Sequence, residues 1–253
     1  MHLVPSKDTN TGAKRAREAR AALGLNTTEP VPCILSLVEV TAGVPLVVSE
    51  LPDDIAGCVW TSSDAALIWV NGTQAAARQR FTLAHELGHL RCGHDARLAI
   101  DSFETLSGIT TDAREIQANA FAAEFLAPAE GVRAMVDGEP TLESIVRIAA
   151  HFGLSSIAAL YRLNTLSLTT RYTRLKNEID SGLDNDVWDR LAPAELDDAI
   201  ARLTPEDLPH LSPALEHSAL AALIAGAASV HDVARTVGCD PAKVAAGAGA
   251  IGV

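Results

Sequence analysis

The chain has 253 residues, 48% of them hydrophobic and 21% charged, which excludes a disordered chain and leaves room for one large domain or two modest ones. Only 4% are aromatic, so the core must come from Ala, Leu, Val and Ile, a composition that favours closely packed helices. The formal net charge is -12, with seventeen Asp/Glu against ten Lys/Arg from residue 130 onward, a balance that repels phosphate backbones.

Met1 to Asn10 contains no apolar signal core, and the longest apolar run, Ala219 to Ala228, is too short to span a bilayer. Cys33, Cys58, Cys92 and Cys239 are scattered without a CxxC pair, which fits thiols in a reducing compartment. These features predict a soluble, cytoplasmic protein without membrane partners.

The first helix is expected from Thr11 to Leu25, with Thr11 as N-cap and Gly24 as stop. Its basic residues, Lys14, Arg15, Arg17 and Arg20, read as a solvated face. A second helix is predicted over Pro32 to Ala42, ending at Gly43. Three short strands follow at Val44–Val48, Ile55–Trp60 and Ala66–Val70, separated by turn signals such as Pro52 and Asn71-Gly72. They predict a small antiparallel meander, with Trp60 and Trp69 in the core rather than along a substrate groove.

Gln74 to Cys92 reads as a long helix closed by Gly93, and Asp112 to Leu126 as another closed before Pro128. Beyond Pro128 the pattern is helical only, with helices at Thr141–Phe152 and Ser155–Leu163 and more between Asp186 and Ala246. The fold class is therefore α+β: mostly helical, a small antiparallel sheet on one long helix, and an all-α C-terminal region. Three parts are expected, 1–130, 131–170 and 171–253, with the second boundary near Leu168 to Asp186, where polar residues and Ser181-Gly182 interrupt the pattern. Glu143–Leu163 and His231–Val244 have the spacing of helix-turn-helix units, read as packing or protein docking because the charge opposes groove binding.

The chemistry concentrates in His85-Glu86-Leu87-Gly88-His89, an HExxH motif on the long helix. Histidines at i and i+4 project from one helix face, so their ring nitrogens can converge on one divalent ion, and Glu86 leans over the same ion. Zinc lowers the pKa of its water to roughly 7 in such sites, and a carboxylate beside it can act as general base. The reaction implied is peptide-bond hydrolysis with Glu86 as base and His85 and His89 as ligands of one Zn²⁺ per chain. A third ligand is expected from a neighbouring element. Glu115 is the first choice, with Asn119 one turn on to orient a ligand histidine. Cys92 and His94 are competitors, and Glu124 reads as a solvated face. No oxyanion-stabilising residue is identified by spacing; Tyr161, His151 and His94 are the candidates.

The segments Arg78-Gln79-Arg80-Phe81-Thr82-Leu83-Ala84-His85-Glu86-Leu87-Gly88-His89 and Glu115-Ile116-Gln117-Ala118-Asn119-Ala120-Phe121-Ala122-Ala123-Glu124-Phe125-Leu126-Ala127-Pro128 together resemble the ImmA/IrrE family of zinc metallopeptidases. The family pattern runs roughly RFTLAHELGH and then ExEANxFAxxLLxP, so the resemblance carries Glu115 over as third ligand and departs at Gln117, where the family has an acid. That departure reads as harmless. The resemblance extends weakly from about Ala13 to Leu168.

It implies a reduced gluzincin fold and, as substrate, a separate helix-turn-helix transcriptional repressor. Cleavage would derepress a stress, defence or mobile-element regulon. Single-stranded DNA is a possible activator in the wider family. The rival expectation is a non-catalytic anti-repressor, or a toxin-antitoxin-type binding protein, keeping zinc as a structural element.

Overall fold

The computed structural model describes residues 6–41, 43–61, 66–94, 99–102, 110–195, 210–212 and 226–237, with single positions between 215 and 245. Helix α1 (Lys7–Ala22) starts a turn earlier than expected. Ser6 rather than Thr11 is its N-cap, accepting from Thr9 N at 3.1 Å, while Thr11 lies inside the helix with its hydroxyl donating back to Lys7 O. Asp8 falls in the first turn, where the helix dipole favours a carboxylate. The second helix is shorter than its sequence suggests: α2 (Ile34–Ser36) passes into a π-helical turn, Leu37–Thr41. Val38, Val40 and Thr41 are β-branched, which weakens α-helical winding there.

The three predicted strands form, but the sheet is mixed rather than antiparallel. Strands β1 (Leu46–Ser49), β2 (Ile55–Thr61), β3 (Ala66–Asn71), β4 (Ala99–Ser102) and β5 (His210–Leu211) take the order β4-β2-β3-β1-β5. β2 and β3 pair antiparallel, while β1 lies on the far side of β3 and runs parallel to it, Leu46 opposite Ile68 and Val48 opposite Val70. The chain between β1 and β2 must therefore cross the end of β3. Asn71 holds that crossing: its amide nitrogen donates to Leu51 O, Pro52 O and Ile55 O, and its oxygen accepts from Leu51 N and Thr73 N. Asn71-Gly72 thus anchors a crossover, where the sequence pattern alone suggested only a turn.

Leu46, Val48, Val59, Ile68 and Val70 fill the inner face of the sheet. Trp60 and Trp69 do not join the core, being 42% and 37% exposed on the outer face. Trp69 is anchored there by Nε1–H donating to Ser49 Oγ at 2.9 Å. Strict alternation explains the error, since Val59 is buried and its neighbour must point the other way.

Against the inner face packs α3 (Ala76–Cys92), and on it α4 (Ala113–Leu126), which also carries α1. Two glycines let these helices approach backbone to backbone. A Cβ at Gly88 would press on Phe121 Cβ at 3.1 Å and Ala118 Cα at 3.2 Å, and one at Gly12 would overlap the carbonyl of Gln117. The chain continues through α5 (Ala129–Ala134), α6 (Leu142–Phe152), α7 (Ser156–Thr165), α8 (Tyr172–Asp180), α9 (Leu183–Glu195) and α10 (Val230–Val237). One hydrophobic cluster runs from Ala16 to Leu175, including Phe121, Phe125, Phe152 and Leu160.

α6 and α7 meet at 102° across Gly153, the angle of a helix-turn-helix pair. In the stretch of the expected boundary, Leu168 to Asp186, lie α8 and the start of α9, joined through Ser181-Gly182. The short β5, paired with β1, departs from the helices-only expectation. Two residues carry no readable period. Of the predicted unit His231 to Val244, α10 covers the first part and residues 238–240 lie outside the described residues. Among the described residues, no single helix is long and apolar enough to cross a membrane.

Candidate metal centre

His85 and His89 stand one turn apart on the buried face of α3. Their Nε2 atoms are 3.0 Å apart. Glu115, in the first turn of α4, brings Oε2 to 3.2 Å from His85 Nε2 and 3.5 Å from His89 Nε2. In a tetrahedral site with bonds of roughly 2.0–2.1 Å, neighbouring ligand atoms stand about 3.4 Å apart. The three donor atoms therefore already occupy three corners of such a site.

The far side of each imidazole reinforces this arrangement. His85 Nδ1 lies 3.0 Å from Asn119 Oδ1, and an amide oxygen only accepts, so Nδ1 carries the proton and the Nε2 lone pair faces Glu115. His89 Nδ1 lies 2.9 Å from His94 Nδ1. Two ring nitrogens and a carboxylate oxygen converging in a buried space call for positive charge among them. Two imidazole nitrogens with one carboxylate oxygen, all within 4.8 Å of one another, are a donor set that fits a divalent transition metal. Burial alone would raise the Glu115 pKa. With either imidazole protonated on both nitrogens, its hydrogen bond and charge outweigh that effect and hold the carboxyl well below the usual carboxylate range.

Glu86 follows His85 directly and is 0% exposed. Strand β2 passes close to it. A Cβ built on Gly57 would sit 3.1 Å from Glu86 Oε1, 2.6 Å from Thr82 Cγ2 and 2.9 Å from Trp69 O, so this strand can lie beside the carboxylate only as glycine. The pairing of β2 with β4 is irregular at the same point, between Ile55 and Gly57.

The sequence-predicted residues therefore come together as a group, with His85, His89 and Glu115 converging, Asn119 on His85, and Glu86 next along the helix. The two competitors stay outside the cluster. Cys92 is half-buried, its thiol pushed up by burial and eased back by Arg15. His94 touches His89 from behind. Glu124 is not on a solvated face: it is buried and forms ion pairs with Arg162 and, at 3.5 Å, with Arg17. Nor is Arg20 solvated, since its guanidinium is buried and donates to Phe125 O, Asn26 O and Glu29 O. Of the oxyanion candidates, Tyr161 is exposed against Tyr172, and His151 packs edge-on against Phe152.

Sequence reasoning missed the role of His94 and the residues behind it. Gly93 closes α3 in the left-handed conformation, φ 72°, and sends the next amide back, so that His94 N donates to His89 O at 3.0 Å. A glycine-closed helix followed at once by histidine was the available signal. His94 Nε2 then lies 3.2 Å from Gln117 Oε1, and Gln117 Nε2 donates to Asp8 Oδ1 at 2.8 Å. Burial pushes the His94 imidazole below its ordinary pKa, against an opposing effect of Gln117.

Residues 51–164 match the Peptidase_M78 family, described as the IrrE N-terminal-like domain. Among curated proteins, no match to the chain is found.

Proposed function

Residues 51–164 form a domain of the ImmA/IrrE peptidase family, and from that premise we propose that the protein is a zinc-dependent endopeptidase. The observation that carries this reading is the convergence of His85 Nε2, His89 Nε2 and Glu115 Oε2 at ligand spacing, beside the buried Glu86. His85, His89 and Glu115 would hold one zinc ion. Bound zinc supplies Lewis acidity, polarising the scissile carbonyl and acidifying the attacking water.

The protein's own groups do the rest. Glu86 takes a proton from the attacking water on its carboxylate and delivers it to the departing amine as the peptide bond breaks. Asn119 keeps the proton of His85 on Nδ1, so that Nε2 stays available as a ligand.

The proposed substrate is a separate helix-turn-helix repressor, single-stranded DNA is the candidate activator, and residues 171–253 serve recognition or sensing. The 131–170 module contributes the helix pair at 102°. All of this takes place in the cytoplasm. Incubating the protein with a helix-turn-helix repressor, chosen from its gene neighbourhood where one is encoded there, with and without single-stranded DNA, tests the assignment. Discrete repressor fragments, absent with Glu86→Gln, are expected. An intact repressor under both conditions contradicts the substrate assignment.

A further inference from the structure

We propose that Asp8, Gln117 and His94 form a positioning relay that fixes the tautomer of His89, making the first turn of α1 part of the metal centre. The proposal rests on the reading that His89 is a metal ligand.

The relay can be followed atom by atom from its outer end. Asp8 as a carboxylate only accepts, so the contact of 2.8 Å from Gln117 Nε2 fixes which way the Gln117 amide faces. Its oxygen must then point to His94, where Nε2 stands 3.2 Å away and has to carry the proton. A neutral imidazole protonated at Nε2 has a bare Nδ1. That bare nitrogen lies 2.9 Å from His89 Nδ1, which must therefore be the donor. His89 Nε2 is left with its lone pair facing His85 Nε2 and Glu115 Oε2. Each contact has one consistent direction, and all three directions follow from the acceptor-only character of Asp8.

The surrounding backbone holds both ends of the relay in register. Gly12, one turn after Asp8, lets α1 press against the backbone of Gln117 itself. Gly93 folds His94 back over His89. The relay also gives a physical reading of the family departure at position 117. An amide can pass one directed hydrogen bond to the next, accepting on one side and donating on the other, and α1 supplies the carboxylate that orients it.

Imidazole proton–nitrogen spectra of the metal-free protein, recorded on the alkaline side of neutrality, test the relay without metal. The expected result is His89 protonated at Nδ1 in the wild type and a mixture of tautomers in Gln117→Leu and Asp8→Asn. Zinc affinity, measured by competition with a chelator, should fall about tenfold or more in Gln117→Leu. Gln117→Glu alone sets two carboxylates against each other and should also weaken zinc. The double variant Asp8→Asn with Gln117→Glu restores a directed contact and should return affinity toward the wild-type value, which a merely structural contact would not do.

A wild-type His89 protonated at Nε2, or unchanged zinc affinity in Gln117→Leu, would overturn the relay. A wild type that binds no zinc would overturn the metal reading instead, while the tautomer spectra still decide the relay. Asp8 sits half-exposed in the first turn of a helix, so Asp8→Asn tests the relay in a protein that folds.

Discussion

Gly57 of β2 faces the carboxylate of Glu86 so closely that a methyl group there would lie 3.1 Å from Oε1. The same methyl would meet Thr82 Cγ2 at 2.6 Å and the backbone oxygen of Trp69 at 2.9 Å. Neither the strand backbone nor a buried threonine can yield cheaply. Gly57→Ala should therefore cost about 1–3 kcal/mol of stability through overpacking. It should also lower peptidase activity more than stability alone explains, because the side chain that must give way is the proposed general base. Denaturant unfolding together with turnover per folded molecule checks this. A variant of wild-type stability and rate would show that β2 does not constrain Glu86.

The ion pair between Glu124 and Arg162 is buried from both sides, and Arg162 also donates to Ala127 O at 2.8 Å. Removing one partner leaves an uncompensated buried charge. Glu124→Ala is expected to cost about 3–5 kcal/mol, with the loss read as a lowered unfolding midpoint. A loss under 1 kcal/mol, about the value of an exposed pair, would mean that Arg162 finds another partner or reaches water.

Glu139 ties the start of α8 to the preceding helices. It accepts from Thr169 Oγ1 at 2.6 Å, Thr170 N at 2.9 Å and Thr170 Oγ1 at 2.9 Å. The Thr169 hydroxyl, with the Thr170 amide after it, lowers the carboxyl from an ordinary 4.5 to about 2. A carboxyl depressed on folding stabilises the protein fully above the unfolded value, and that contribution is lost as pH falls through the folded value. The advantage of wild type over Glu139→Gln should therefore be constant near neutrality, shrink below pH 4.5 and vanish near pH 2. Unfolding midpoints of the two proteins across that window check it. A difference independent of pH would assign the effect to shape alone.

Much of the candidate metal centre could be read from the residues. The i, i+4 spacing of His85 and His89 requires only a helix, and Glu115 with Asn119 one turn apart requires only a second helix beside it. What could not be read was what the second helix packs against. Gly12 and Gly88 look like ordinary helix glycines in the sequence, yet they set two backbone-to-backbone approaches in the structure. Through the first of these, Asp8 reaches Gln117 across more than a hundred residues.

The parallel placement of β1 was hidden for a similar reason. Alternation predicts a strand and its inner face but not its neighbour, and the crossing is fixed by hydrogen bonds from one side chain, Asn71. Glu124 and Arg20 were read as solvated because charge is usually exposed. Each was instead buried by a partner distant in sequence, Arg162 for the first and the Phe125 carbonyl for the second.

His85 Nε2, His89 Nε2 and Glu115 Oε2 stand at 3.0–3.5 Å from one another, and the account depends on these three atoms sharing one zinc ion for catalysis. The most direct measurement determines zinc content and proteolysis on the same preparations of wild type, Glu86→Gln and Glu115→Ala. About one zinc per chain is expected in wild type and Glu86→Gln, with cleavage only in wild type, reduced on the order of 10²-fold to 10⁴-fold or more by Glu86→Gln. Glu115→Ala should lose most of the metal. Zinc bound with equal affinity without Glu115, or cleavage undiminished without Glu86, would contradict the account.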